Sequence, residues 1–281
     1  MITSKKRKVL KSFAVYFIVL VSLFFFISPM LWIAYSSFRE RDAIFSEEFL
    51  TPLREFTLEN YKTILSVTDF PLYFFNSFKI AFFVTCVSLL FSVIGAYGLS
   101  RYRLRGKNLY IMGIFSTQMF PLVLIIIPIY LIIFKMGLLD TTLGVVLSQL
   151  ILVLPFSVWM LKGYFDNLPA DLDEAARIDG CNIFQTLGYV ILPVSIPGIM
   201  VAAFYCFVVS WGDYLVISIV NQSQNTATLP LILQRLSASL LIRWGQVAAA
   251  TVLTIVPTII LFSFVQRFLV EGLTAGAVKG E

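Results

Sequence analysis

Histidine is absent from the 281 residues, which excludes HExxH zinc sites, haem ligation through imidazole and histidine general bases. Cysteine is scarce. Cys86, Cys181 and Cys206 stand far apart with no CxxC spacing, and two lie in apolar runs, so they read as small buried thiols rather than redox centres. No GxxxxGK[ST] stretch occurs, and nucleotide is therefore not held here by a phosphate loop. Charge is the third shortage: Asp, Glu, Lys and Arg make up 13% of the chain, against 59% hydrophobic residues. A water-soluble domain of this size could not cover its surface with so few charges.

What is present instead is a series of uncharged runs of about 20 residues, each long enough as helix to cross a hydrocarbon core of roughly 30 Å. The sequence predicts an all-α integral membrane protein with six spans, at about 13–36, 78–98, 109–133, 142–161, 198–220 and 247–266. The opening Lys5, Lys6, Arg7, Lys8 and Lys11 followed by an apolar run resembles a signal peptide. The run is too long for one, contains Pro29 and lacks a small-residue cleavage site, so a retained first helix is expected after a basic stretch 1–12.

Basic residues set the orientation. The N-terminal cluster and the short loop with Arg101, Arg103, Arg105 and Lys107 are expected on the cytoplasmic side, which also explains the formal net charge of +5 without nucleic acid. Six spans then place 37–77, 134–141 and 221–246 outside, and 162–197 and the tail 271–281 inside. The outer segment 37–77 carries Glu40, Asp42, Glu47, Glu48, Glu55, Glu59 and Asp69, in keeping with that face.

Polar and helix-breaking residues at membrane depth come next. Pro121 and Pro128 are expected to interrupt the third span and Pro155 the fourth. Such breaks free backbone groups that neighbours or water must satisfy, and they often mark a transport pathway, though proline is also simply common in membrane helices. Gln118 and Gln149 are neutral and serve either as ties between helices or as pathway groups. Asp213, in SWGDYLV, lies about 15 residues into its span, roughly 20 Å deep at 1.5 Å per residue. Ionised there, it costs at least about 2.5 kcal/mol unless it faces water or a partner. It therefore faces a cavity or sits near the outer headgroups. Trp211 and Tyr214 beside it fit either sugar-stacking aromatics or an interfacial belt. Gln118, Pro121, Trp211, Asp213 and Tyr214 are the candidate pathway residues.

The longest inner loop, 162–197, is acidic where a loop resting on anionic lipid would be basic. Asp166, Asp171, Asp173, Glu174 and Asp179 face only Lys162 and Arg177. It reads as built to meet a protein. Pro169 suits a first helical turn, and Asp171, Asp173 and Glu174 favour the positive end of the helix dipole. Gly180 falls where that helix would stop, and Asn182 can cap a second one running from Ile183 to Ile191 and ending at Pro193. Leu172, Ala175, Ala176 and Asp179 recur at helical spacing, giving a face of small residues suited to a groove.

Here the residues carry a resemblance. Glu174-Ala175-Ala176, three residues, Gly180, nine residues, then Val190-x-Leu192-Pro193 closely resembles the EAA motif of ABC-importer permeases, with Val190 where isoleucine is usual. The ending Gly272 to Gly280, preceded by Gln266-Arg267-Phe268, is similar to the carbohydrate branch related to the second permease of the maltose system. Tyr73-Phe74-Phe75-Asn76-Ser77 and Trp244-Gly245-Gln246 are similar to it as well. Gly212 stands where that branch usually has asparagine, so a sugar-contact role is not carried over to this patch.

The resemblance implies a type I importer fold with both termini cytoplasmic in a prokaryotic inner membrane. It implies one permease of an ATP-driven sugar importer, with a second permease, two ATPase subunits holding ATP and magnesium, and an extracytoplasmic solute-binding protein. It puts the ATPase contact on Asp173, Glu174, Ala175, Ala176, Gly180, Leu192 and Pro193, and makes Gly272, Gly276 and Lys279 candidate tail contacts. The chain itself would do no covalent chemistry and hold no cofactor or metal. A permease for glycerol-phosphate or a polyol is the alternative, followed by an ion-coupled transporter. An intramembrane aspartyl protease needs two facing aspartates, and only Asp213 offers itself.

Overall fold

The computed structural model describes residues 2–39, 56–67, 69–238 and 243–277, and these contain helices and connecting turns with no strand among them. The helices are α1 (Ile2–Ser37), α2 (Glu59–Val67), α3 (Phe70–Arg101), α4 (Lys107–Met119), α5 (Leu122–Lys135) and α6 (Thr142–Asp166). There follow α7 (Asp171–Ile178), α8 (Ile183–Val194), α9 (Ile196–Gly212), α10 (Leu215–Val220), α11 (Leu229–Ser237) and α12 (Trp244–Ala277). Four of them are long and apolar enough to cross a membrane: α1 from Lys11, α3, α6, and α12 as far as Leu269. The number rises to six if each of two bent pairs, α4 with α5 and α8 with α9, is one span.

The chain divides into two compact units, Met1–Phe70 with Leu233–Ile255, and Pro71–Ile232 with Val256–Glu281. In the first, the Tyr61 and Ser37 hydroxyls pair at 2.7 Å, and the Asn60 amide donates to the carbonyls of Ser37 and Arg39 at 3.0 and 2.9 Å. These bonds tie α2 to the end of α1. In the second, Ser88 and Ser92 of α3 both reach Ser157 of α6, at 3.2 and 2.8 Å, and the Cys206 thiol of α9 donates to Ser88 at 3.4 Å. All four are fully buried. Small hydroxyl-bearing residues let helix backbones approach closely and cross-bond where lipid offers no partner.

One of the three expected proline breaks occurs, at Pro121, and two do not. The third span, 109–133, is interrupted at Pro121 as expected: α4 ends at Met119, Phe120 is extended, and α5 starts after Pro121 at an angle of 100°. Pro128 and Pro155, however, lie inside unbroken helices. A proline removes one N–H and frees the carbonyl four residues back. For Pro155 that carbonyl belongs to Ile151, and the Gln118 amide of α4 donates to it at 3.2 Å. For Pro29 it belongs to Phe25, and the Ser28 hydroxyl donates to it at 3.1 Å. A side chain stands in for the missing N–H in both cases. The expected fifth span, 198–220, is also interrupted, since α9 stops at Gly212 and α10 resumes at Leu215.

Candidate functional site

The acidic stretch forms a corner of two short helices. Three acids occupy the first turn of α7, where the helix dipole favours them. The stop is a Schellman turn: Gly180 takes φ +83°, its N–H donates to Arg177 at 3.1 Å, and the Cys181 N–H donates back to Ala176 at 2.9 Å. Asn182 then caps α8 in a reciprocal box, its Oδ1 accepting from the Gln185 N–H at 3.0 Å while Gln185 Oε1 accepts from the Asn182 N–H at 2.8 Å. Pro169 lies just ahead of α7 rather than in its first turn. Pro193 does not end α8, which runs on to Val194 after π-type winding over Thr186–Ile191. The chain bends by 84° only beyond that point, so α8 lies across the axis of α9.

The expected small-residue face splits. Glu174, Ala175, Arg177 and Ile178 are exposed, while Asp173 and Ala176, three residues apart, turn inward and are buried. Ala175 and Ala176 neighbour each other in sequence and so point about 100° apart on a helix. Of the residues expected at an ATPase contact, Glu174, Ala175, Gly180 and Pro193 are therefore presented outward, Leu192 is half-buried, and Asp173 and Ala176 are not presented. Sequence reasoning also passed over Ile178, Phe184 and Tyr189, which stand 86%, 78% and 76% exposed on the same corner.

Asp173 is held by α3. At about 1.5 Å per residue its 32 residues reach roughly 48 Å, well beyond a hydrocarbon core of roughly 30 Å. On its last turn Arg101 Nε lies 2.8 Å from Asp173 Oδ2, and the Tyr97 hydroxyl donates to Asp173 Oδ1 at 2.5 Å. Arg101 also donates to the carbonyl of Leu168 at 3.2 Å, and Ser100 donates to Asp166 at 2.7 Å. Beneath this clamp Val93, Ala96 and Tyr97 pack with Leu161, Phe165, Leu187, Ile191 and Ala202, and Leu172 leans on the same cluster.

The candidate pathway residues stand in different surroundings. Gln118 is exposed and engaged with Ile151, and Pro121 marks the break between α4 and α5. Trp211 is buried, stacked on Phe207 with ring centres 5.5 Å apart and meeting the edge of Phe74 at 5.6 Å. Asp213 is buried too. Its Oδ2 accepts from Gln149 Nε2 at 2.9 Å, its Oδ1 accepts from the Val216 N–H at 3.4 Å, and Ser210 donates to Gln149 Oε1 at 2.5 Å. This carboxylate caps α10 and joins it to α6, while Tyr214 beside it is half-buried. Gly272 and Gly276 lie in the last turns of α12; Lys279 lies outside the described residues.

A family model described as "Binding-protein-dependent transport system inner membrane component" matches residues 88–274, which include the clamp and the whole corner. The chain belongs to this family. The permease is 35% identical over 242 residues to the inner membrane ABC transporter permease protein YcjP of Escherichia coli, covering 85% of this chain and 86% of that one. It is 34% identical over 260 residues to the trehalose/maltose transport system permease protein MalG of Thermococcus litoralis, covering 90% and 91%. Among solved structures it resembles a bacterial ABC transporter involved in the import of the acidic polysaccharide alginate, with a TM-score of 0.77 and 25% identity over 92% of this chain and 96% of that one.

One further feature of the permease was not read from its sequence. The segment 221–229 is stapled from two sides. Asp140, in a left-handed turn at φ 59°, accepts from the N–H groups of Gln222 and Ser223 at 3.1 and 3.0 Å and from the Thr226 hydroxyl. Burial pushes the Asp140 carboxyl up, but the bonds from Thr226, Ser223 and Gln222 outweigh it and hold the group below its ordinary value. From the other side Asn76 donates to the carbonyls of Asn225 and Ala227 at 2.8 and 3.1 Å. Tyr73 accepts from Gln224 at 3.0 Å, and Ser77 accepts from the Leu229 N–H at 2.8 Å. The Tyr73 to Ser77 motif is thus the inner wall of this segment.

Proposed function

We propose that the permease is one of two such subunits in an ATP-driven sugar importer, and that α7 and α8 form its contact with an ATPase partner. The observation that carries this reading is the exposed corner of Glu174, Ala175, Ile178 and Phe184 at the end of a rigid two-helix turn. Its acidic and apolar character suits a protein groove and opposes an anionic lipid surface. Relatives named for trehalose/maltose and diacetylchitobiose transport support a sugar as cargo.

In this reading the corner and both termini face the cytoplasm of a prokaryotic cell. Segment 221–229 then faces outward, toward a solute-binding protein. ATP and magnesium belong to the ATPase pair, whose closure moves the corner, and no covalent chemistry falls to this chain. The experiment is co-purification of the tagged chain with the products of neighbouring genes, followed by a sugar-binding screen on the solute-binding protein. Recovery of an ATPase subunit that is lost with Glu174→Lys, while the chain stays in the membrane, supports the reading. Wild-type chain that brings down no ATPase would sink it.

A further inference from the structure

The permease presents one face of α7 outward, and on the opposite face the polar contacts of Asp173 all go to one membrane helix, α3. Asp173 and Arg101 are both largely buried and 2.8 Å apart, and the second carboxylate oxygen is taken by Tyr97 one turn earlier on α3. Arg101 and Ser100 further bind Leu168 and Asp166, which lie just before α7. Four contacts from one helical turn thus grip both the entry to α7 and α7 itself. An ordinary packed helix of eight residues with this much exposed surface could rock against its support. Two charges largely removed from water, one carboxylate oxygen ion-paired and the other hydrogen-bonded, hold one geometry instead, because any slip leaves a buried charge unpaired.

We infer that Asp173 is a positioning residue, and that Tyr97, Arg101 and Asp173 form a latch that makes α3 the membrane helix that moves with α7. The latch rests on the permease reading above and adds the route by which displacement of the docking corner enters the membrane. Glu174 and Ala175 receive the push, and Asp173, one residue earlier and facing inward, passes it to α3. Tyr97 and Arg101 stand on the last turn of α3, level with the corner they hold.

The test uses the complete importer in lipid vesicles, with its ATPase subunits, partner permease and solute-binding protein. The readout is the ratio of ATP hydrolysis with and without the loaded binding protein, normalised to assembled complex. Asp173→Asn and Arg101→Gln are expected to lower that ratio about fivefold or more, a size in keeping with measured changes in coupling between sites. Tyr97→Phe, which deletes one hydroxyl, lowers it less. The exchange Arg101→Asp with Asp173→Arg restores at least about half of it, as reversal of a specific pair should.

A wild-type ratio in the single variants overturns the latch. So does a loss that the charge exchange fails to recover. Where the charge variants do not assemble, Tyr97→Phe decides, and an unchanged ratio there overturns the latch as well. A wild-type assembly that recruits no ATPase overturns the permease reading itself and takes the latch with it. Normal wild-type stimulation with unaltered variants overturns the latch alone.

Discussion

The side-chain amide of Gln118 lies 3.2 Å from the carbonyl of Ile151, the carbonyl that Pro155 leaves without its helical N–H. A polar residue on a broken span thereby repairs the backbone of its neighbour. Gln118→Leu is expected to destabilise the chain by about 1 kcal/mol, the usual size of such a bond between membrane helices. In a Pro155→Ala background the restored N–H of residue 155 serves Ile151, and the same substitution should be nearly neutral. Thermal unfolding of the four proteins in detergent checks this, and equal losses in both backgrounds would refute it.

Close approach gives a second prediction. A side chain at Gly198 would place its Cβ 2.6 Å from the Tyr164 ring, whereas one at Gly144 would strike the backbone carbonyl of Leu138. Gly198→Ala should cost about 1–3 kcal/mol by overpacking and recover with Tyr164→Leu, because a side chain can yield. Gly144→Ala has no such remedy among single partner substitutions. Melting temperatures of the single and double variants distinguish the two.

Asp140 predicts a pH dependence. Its folded-state affinity for a proton is lowered by the bonds from Thr226, Ser223 and Gln222. The stability it adds is therefore complete above the ordinary carboxylate value of 3.8 and is lost as pH falls through the lower folded value. Asp140→Asn keeps a residue that tolerates the left-handed turn but removes the charge. The stability difference between wild type and this variant should be constant near neutrality and shrink below about pH 4. A difference that grows with acid would contradict the assignment.

Gln149 and Asp213 supply the fourth. Gln149→Leu leaves one oxygen of Asp213 and the Ser210 hydroxyl without their partners, at about 1–3 kcal/mol for each buried group. Asp213→Asn forfeits one of two acceptor roles, toward Gln149 or toward the Val216 N–H, and should be milder than Asp213→Ala. Hydrogen exchange at Val216 and Ile217 reports the cap of α10 directly. Unchanged protection in Asp213→Ala would show that the carboxylate does not hold that helix.

Features set by neighbours in sequence were legible from the residues alone. Gly180 stops α7 as its position implies, and Asn182 with Gln185 caps α8, because both motifs are complete within a few residues. The acidic first turn of α7 was equally plain. What escaped was whatever depends on a distant partner. The family resemblance put Asp173 and Ala175 on one contact surface, but the partner that turns Asp173 inward, Tyr97, lies 76 positions away. Pro155 looked like a break, since the sequence shows a missing N–H and not the Gln118 that replaces it. Trp211 and Asp213 looked like a pathway for the same reason: an aromatic and a carboxylate read alike whether they line a cavity or close a core.

The corner between α7 and α8 has one last consequence. From Asp179 to Asn182 every backbone N–H is already engaged within the corner, by Ala175, Arg177, Ala176 and Gln185 in turn. None of these four N–H groups waits for water, lipid or another chain to settle it. In the proposed docking, a partner meets a turn already closed by its own hydrogen bonds, so ordering that turn takes no share of the binding free energy. Affinity at this corner is then set by the exposed side chains alone, and it can be tuned at Glu174, Ile178 or Phe184 without disturbing the turn that presents them.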